Sequence, residues 1–441
     1  MPKPASCEDR QISGWGRFPA VSARVCTCRE PANAAWCLDS GGAWIPFGLG
    51  RSYGDSALAS RVLRMALLSG VLSFDAKAGI INCQAGLSLG ELLALIVPHG
   101  WFLPVVPGTR QVTVGGAIAS DVHGKNHHRD GCFSCHVNHL SLMLPNGEIV
   151  RCSDSENAEL FLATCGGMGL TGVILHAEIR LQRIESAFIR GRVLACHSLD
   201  DLMAGFAAWA DWPYLVAWMD GPLADERRGR FLLMAGRHAR SGGWTSSPRR
   251  EWSVPSVCPG AVVNRPVIRT FNTAYYLINK GLQKGFTTTL EPFFFPLDRL
   301  SHWNRLYGKQ GFLQYQLVLP AEGGRRGLRT IFQEMKRSSL TPALAVLKLL
   351  GPANANFLSF PRQGYTLALD YKRTPELFPF LERLDRIVLE HGGRLYLAKD
   401  ARMPATMVDS GYPGRNEFAR IRDKYLLRST FQSLQSRRLG L

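Results

Sequence analysis

Two stretches of nearly bare main chain restrict this chain more than any other feature of its sequence. Residues 46–58 read PFGLGRSYGDSAL and residues 104–128 read PVVPGTRQVTVGGAIASDVHGKNHH. In the first, Gly48, Gly50 and Gly54 strip side chains from a turn that also carries Arg51, Ser52 and Tyr53, so exposed N–H groups and hydroxyls can surround a pyrophosphate. In the second, Pro107-Gly108-Thr109 predicts a turn. The small residues of Thr113-Val114-Gly115-Gly116-Ala117 let backbone lie flat against a planar ligand. An ordinary glycine-rich turn accounts for either stretch alone. Two of them, well separated along the chain, point to one long ligand lying between two lobes.

The background into which they are set alternates strands and helices. Residues 71–74 and 79–84 read as strands around a turn at 75–78. A helix begins at Ser88, where Ser88 and Glu91 have capping-box spacing, Leu92, Leu93, Leu95 and Ile96 supply an apolar side, and Gly100 marks the end. Pro145-Asn146-Gly147 predicts a second hairpin between 140–144 and 148–152. A helix over 156–164 leads to a glycine cluster and an alternating strand over 173–181. Within that cluster GMGLTG (167–172) matches the dinucleotide fingerprint letter for letter, but it follows a helix and opens a strand, the reverse of the Rossmann order. Tight helix-to-strand packing, with backbone approaching a ligand, is the better account.

Past about residue 187 the character changes. Aromatic segments appear at 212–221 (WPYLVAWMDG) and 291–297 (EPFFFPL), and between them residues 225–252 carry seven arginines with a Ser/Gly/Pro stretch. That stretch reads as a mobile basic surface loop, or alternatively as an anion-attracting lid. Residues 425–441 read as helical and basic.

A length of 441 residues predicts two domains, or one with a large insertion, and a hydrophobic fraction of 46% can fill their cores. The net charge of +17 favours anionic partners: a nucleotide cofactor, a phosphorylated substrate, nucleic acid or an acidic membrane surface. The sequence has no uninterrupted apolar run of the roughly 18 to 20 residues a membrane span needs, and Met1-Pro2-Lys3-Pro4 is not followed by the apolar core of a secretory signal. A cytoplasmic chain is therefore expected. Eleven cysteines, an odd number scattered from Cys7 to Cys258, fit free thiols in a reducing compartment.

Residues 123–136, HGKNHHRDGCFSCH, pack four histidines and two cysteines together. Cys132 to His136 fits the haem-attachment pattern, but that chemistry needs an exported chain. Structural zinc usually places its second ligand pair at a longer, defined spacing. No metal is assigned here; Cys132 and Cys135 read as structural thiols.

Six co-ordered motifs now become specific: GLGRSYGD, VPGTRQVTVGGAIASDVHGKNHH, LFLATCGGMGLTGVI, GFLQYQLVLP, VLKLLGPANANFLSFP and YLAKD. Together they resemble the FAD-linked oxidoreductases of the vanillyl-alcohol oxidase and p-cresol methylhydroxylase superfamily, from about Trp15 to the C-terminus. The resemblance implies an α+β fold: a two-lobed FAD-binding domain from residues 1–186 and 393–441, with a substrate domain containing an antiparallel sheet inserted at 187–392. It places the pyrophosphate loop on Pro46, Phe47, Gly48, Leu49, Gly50, Arg51, Ser52, Tyr53, Gly54, Asp55 and Ser56. Further FAD contacts fall on Gly108, Thr113, Val114, Gly115, Gly116, Ser120, Asp121, Val122, His123, Ile174 and Tyr396. Some members attach FAD covalently through a histidine in the glycine-rich loop; Tyr53 stands there in this chain, which implies non-covalent FAD. The substrate side is implied at Gln314, Gln316, Lys348 and Lys399. Ala368 departs from the pattern, where a cysteine stands in the relatives it most resembles.

The implied reaction is oxidation of a secondary sugar hydroxyl to a ketone, with the 2'-hydroxyl of a polyprenyl-phosphoryl ribose as substrate. It would be the first half of an epimerisation to arabinose for arabinan and cell-wall synthesis. Lys399, which within residues 394–403 reads as sitting at the end of an alternating strand, is the cation expected where negative charge develops on the flavin. Lys125 would orient the sugar or its phosphate; His123 and Tyr53 both stand as candidates for the hydroxyl proton. A separate NAD(P)H-dependent ketoreductase would complete the epimerisation, and a lipid-linked anion implies peripheral contact with the inner face of a membrane. The rivals are an aldonolactone or alditol oxidase acting on a free sugar and, more remotely, a basic nucleic-acid-binding protein, which is disfavoured because no RRM, KH or helix-turn-helix signature accompanies the charge.

Overall fold

The computed structural model describes residues 4–221, 229–244, 252–256 and 260–441. Three sheets carry the expected α+β fold. Strands Ser6–Ser13, Ala20–Thr27, Arg61–Arg64 and Ile45–Phe47 form a four-stranded sheet in that order. Its last two pairings are parallel because the helix Pro31–Asp39 carries the chain back across the sheet.

A five-stranded antiparallel sheet follows, ordered Val71–Asp75, Ile80–Gln84, Val173–Arg180, Val137–Met143 and Ile149–Ser153. Both hairpins read from the sequence are present. Asp75 closes the first by accepting from the N–H groups of Lys77 (2.8 Å) and Ala78 (2.9 Å), and Gly147, at φ 81°, supplies the left-handed residue of the second. The helix Leu89–Ile96 carries the capping box its spacing predicts: Ser88 Oγ accepts from the Glu91 N–H at 3.1 Å, and Glu91 accepts from the Ser88 N–H at 3.0 Å.

The third sheet has eight antiparallel strands: Phe286–Thr289, Phe188–Cys196, Phe231–His238, Tyr214–Met219, Leu344–Leu350, Gly364–Lys372, Phe312–Pro320 and Arg394–Leu395. Side chains alternate between its two faces. One face packs under helices: Phe231 stacks on Phe332 of the helix Ala321–Arg337, and Tyr315 donates to Asp385 of the helix Leu377–Glu390 at 2.9 Å. The other face is a grid. Register sets Gln314, Asp370 and Leu344 side by side on neighbouring strands, and likewise Gln316, Ala368, Val346 and Trp218.

The C-terminal residues return to the first sheet. The Trp44 N–H donates to the Thr430 carbonyl at 2.6 Å, the Leu434 N–H to the Leu58 carbonyl at 2.7 Å, and Arg438 lies between Asp55 (2.8 Å) and Asp400 (2.7 Å).

Four readings of the sequence are corrected. Of the basic stretch 225–252, residues 225–228 and 245–251 lie outside the described residues, but Phe231–His238 is an interior strand rather than a loop or lid. The apolar run FLLMA outweighs its flanking arginines: Phe231, Leu232 and Leu233 are fully buried, while Arg237 lies 4.1 Å over the Trp212 ring and Arg230 pairs with Asp220. Lys399 does not end a strand: the strand stops at Leu395, and Lys399 closes a 3-10 helix, Leu397–Lys399. Only Leu434–Leu439 of the 425–441 segment is helical, because Ser433 caps a new helix there. The cysteines are not all free thiols either. Cys7 and Cys26 face each other across the first antiparallel pair and form a disulfide.

Candidate active site

Where the grid of the eight-stranded sheet meets the two glycine-rich stretches, the protein encloses a cavity of about 750 Å³. That is toward the upper end of the about 300–1,000 Å³ common for ligand pockets. Its wall includes Pro46 through Ser56 except Asp55, together with Gly108, Thr113, Gly115, Gly116, Ser120, Val122, His123, Ile174 and Tyr396. The sheet and the segments beside it add Lys125, Gln314, Gln316, Lys348 and Lys399, and Ala368 lies on the floor between Gln316 and Val346. Three expected cofactor contacts stand outside it. Asp55 is turned toward Arg438, Val114 is fully buried on the apolar side of its helix, and Asp121 anchors a polar cluster. The Asp121 carboxylate accepts from Ser359 (2.6 Å), Asn354 (2.7 Å) and Asn356 (2.9 Å).

The glycines are required by closeness. A Cβ on Gly48 would stand 2.5 Å from Thr113 Oγ1, so the two stretches meet at Thr113. Gly50, at φ 65°, makes the turn that lets the pyrophosphate loop double back. Residues 113–117 do not lie flat as an extended run; Thr113 caps a short helix, Val114–Ala119, by accepting from the Gly116 N–H at 3.1 Å. Beside the loop, the half-buried Arg51 guanidinium lies 4.0 Å over the Trp15 ring, and its Nε has no partner among the described residues. Main-chain N–H groups, two serine hydroxyls and an unspent guanidinium on one wall fit the diphosphate of FAD.

Lys399 lines the same cavity. Its ammonium lies 3.9 Å over the Tyr53 ring, and the Tyr53 N–H donates to the Ala398 carbonyl at 3.0 Å, which ties the 3-10 turn to the pyrophosphate loop. Burial pulls the Lys399 pKa down to about 7, opposed by Asp370, and burial pushes the Asp370 carboxyl up to about 7, opposed by a Gln314 hydrogen bond and by Lys399. Gln314 Nε2 donates to Asp370 at 2.6 Å. Two further lysines share the cavity. Burial lowers Lys348 to about 8, and burial followed by the charge of Lys348 lowers Lys125 to about 7. Lys125 Nζ donates to the carbonyls of Phe293 and Phe294. Desolvation raises the half-buried Tyr53 phenol well above 10, and burial with the nearby Lys348 charge holds His123 well below 6.5. Gln316 lies 3.0 Å from His123 Nε2, while Nδ1 has no partner among the described residues.

Each remaining histidine of the stretch spends one ring nitrogen on backbone. His127 Nδ1 accepts from the Gly351 N–H at 3.1 Å, His128 Nε2 meets the Trp212 carbonyl at 3.0 Å, and His136 Nε2 meets the Asp130 carbonyl at 2.9 Å. Cys132 is buried against Ser359, and Cys135 is exposed.

Sequence reasoning missed the apolar half of the cavity, where Val193, Trp218, Met234, Tyr275, Leu282 and Phe286 line an arm beyond the lysines. The aromatic segments at 212–221 and 291–297 were its only trace, because aromatic clusters in a strand or turn read equally well as core. GMGLTG makes the tight helix-to-strand junction that its context predicts. It joins the helix Ala158–Thr164 to the strand Val173–Arg180, Met168, Gly169 and Gly172 line the cavity, and a Cβ on Gly172 would stand 2.7 Å from the Met143 carbonyl oxygen.

Comparison with known proteins agrees with this geometry. Residues 32–153 match the FAD binding domain family. The chain is 36% identical to decaprenylphosphoryl-beta-D-ribose oxidase of Mycolicibacterium smegmatis over 98% of both chains. More local likeness reaches the Delta(24)-sterol reductase of Homo sapiens (35% identity, 26% of this chain and 23% of that one) and the L-gulonolactone oxidase of Bos taurus (33% identity, 27% of each). Such short matches are what a shared cofactor half joined to different substrate halves produces. With the cofactor cradle, the lysines of the cavity and a likeness running the whole length of the chain, this protein belongs to the decaprenylphosphoryl-β-D-ribose oxidase family of FAD-dependent oxidoreductases.

Proposed function

We propose that the protein oxidises the 2'-hydroxyl of a polyprenyl-phosphoryl ribose to the ketone, using dissociable FAD. One observation carries the reading: a single cavity joins the FAD cradle, three half-buried lysines and an apolar arm. A diphosphate cradle alone would serve any flavoenzyme, and lysines alone any sugar phosphate. The apolar arm is what a polyprenyl tail needs and what a free sugar lactone does not.

In this reading residues 1–186 and 393–441 hold the cofactor and residues 187–392 hold the substrate. Bound FAD supplies the two-electron acceptor for the carbinol carbon. Lys399 is the fixed cation beside the charge that develops in the transition state, pre-oriented by Asp370 and Tyr53. Lys348 faces the phosphoryl group, and Lys125, fastened to two carbonyls, holds the sugar end with its remaining donor. The Tyr53 phenol is held protonated and the His123 ring neutral, so His123 is the one of the two in a state to accept the hydroxyl proton. Gln316 Nε2 donates to His123 Nε2 at 3.0 Å, which makes Nε2 the lone-pair nitrogen of the neutral ring and leaves its proton on Nδ1.

The ketone needs a second catalyst to become the inverted alcohol, which assigns a separate nicotinamide-dependent ketoreductase as the enzyme that consumes the product. Among the described residues no helix is long and apolar enough to cross a membrane; the substrate is met by peripheral contact. The test is anaerobic titration of the yellow protein with a farnesyl-phosphoryl ribose and, separately, with a free aldonolactone or alditol. Bleaching of the flavin band by the first and not the second is expected; the opposite order removes the lipid-phosphosugar assignment.

A further inference from the structure

The helix Arg265–Lys280 has two apolar faces and needs only one of them for the fold. Asn264 caps it, its side chain accepting from the Val267 N–H at 3.0 Å, and Ile268, Asn272 and Tyr276 are the buried stripe that fixes it to the eight-stranded sheet. Val267, Phe271, Ala274 and Ile278 follow at spacings of four, three and four and so share another face, with Leu277 beside them. That second stripe is bare: Val267 is 46% exposed, Phe271 63%, Leu277 63% and Ile278 71%. A stripe of this kind marks an interaction surface rather than scattered surface apolarity.

Charge says what covers it. From residue 252 to residue 290 the sequence contains four basic residues, Arg265, Arg269, Lys280 and Lys284, and no aspartate or glutamate. The stripe also runs into the cavity: Phe271, Tyr275 and Asn279 of the helix, then Leu282 and Phe286 after it, line the apolar arm. A second copy of the chain is disfavoured as the occupant, because an isologous contact would set this acid-free basic face against itself. An anionic bilayer supplies both the apolar medium and the opposite charge.

We infer that the helix Arg265–Lys280 and the turn after it form a membrane-docking element at the mouth of the cavity. Phe271, Leu277 and Ile278 enter the boundary between headgroups and acyl chains, and the four cations pair with anionic lipid phosphates. A substrate tail passes from the bilayer along Phe271 and Tyr275 into the arm without crossing water. The inference rests on the lipid-phosphosugar reading of the cavity, but docking can be measured with no substrate present.

The test is flotation of the FAD-loaded protein with vesicles of phosphatidylcholine alone or mixed with phosphatidylglycerol, at low and high salt. Binding to the mixed vesicles at low salt is expected, with little to neutral vesicles and loss at high salt. The double variant Leu277→Ser/Ile278→Ser, neither residue lining the cavity, should weaken that binding by about tenfold or more, as should Arg269→Glu/Lys280→Glu. Both variants should keep the flavin and its bleaching by the soluble farnesyl-phosphoryl ribose. Absence of vesicle binding, equal binding to neutral vesicles, parent-like binding by both variants, or self-association that Leu277→Ser/Ile278→Ser abolishes would each overturn the inference. Vesicle binding without bleaching by the ribose substrate would leave docking standing and remove the substrate assignment instead.

Discussion

At the scale of single residues, the site is an arrangement of cations that burial has made reluctant to carry charge. Lys125 and Lys399 are lowered to about 7 and Lys348 to about 8, because each ammonium has left water for a cavity with few compensating anions. An anionic ligand restores those charges, so its binding takes up protons. Affinity for a phosphoryl sugar should therefore fall as pH rises through about 7 to 8, the range in which the free site loses its positive charge. Equilibrium titration at several pH values checks this, and a neutral sugar should show no such decline. Lys399→Ala should keep FAD but slow flavin reduction by roughly two orders of magnitude, the scale for one lost stabilising group. Stopped-flow reduction at wild-type rate would remove Lys399 from the chemistry. His123→Ala should cost about 10²-fold or more in the same assay if its ring takes the hydroxyl proton. A larger loss in Tyr53→Phe would move that role to the phenol.

At the scale of elements, the site depends on how closely the pyrophosphate loop and the turn bearing Lys399 approach. A Cβ on Gly54 would lie 1.8 Å from the Asp400 carbonyl oxygen, a backbone atom that cannot swing aside. Gly54→Ala should therefore destabilise the protein by about 1–3 kcal/mol or more, read as a lowered denaturation midpoint. It should also weaken FAD retention, since loop and turn must separate. The eight-stranded sheet contributes rigidity of another kind: its register alone brings Gln314 beside Asp370 and Gln316 beside Ala368. A slip of Phe312–Pro320 by one residue would send Gln314 and Gln316 to the helix-covered face.

At the scale of the whole molecule, the last residues of the chain hold the first lobe to the catalytic turn. Arg438 pairs with Asp55 behind the pyrophosphate loop and with Asp400 next to Lys399. Arg438→Ala strands two buried carboxylates. The cost should be somewhat below the about 3–5 kcal/mol typical of broken buried pairs, because the Arg438 side chain is 26% exposed. Urea denaturation would measure it, and an unchanged midpoint would show that the pair contributes nothing net.

What the sequence determined by itself was local and chemical. Ser88 with Glu91, Asn146-Gly147 and the glycines of residues 46–58 announce a cap, a turn and a cradle because each signal depends on a few neighbouring residues and on backbone geometry common to all proteins. The co-ordered motifs carried the family resemblance for the same reason: a cofactor that touches main chain leaves a pattern of small residues in order. Only the tertiary structure decided the rest. The arginines around Phe231–His238 suggested a loop, yet sheet pairing buried the apolar run between them; Asp55 and Asp121, in the midst of cofactor motifs, turned away to partners more than two hundred residues distant. The apolar arm and the bare face of Arg265–Lys280 were illegible because apolar side chains look alike in sequence whether they fill a core, line a cavity or meet a membrane. Which of these they do depends on what the folded chain leaves opposite them.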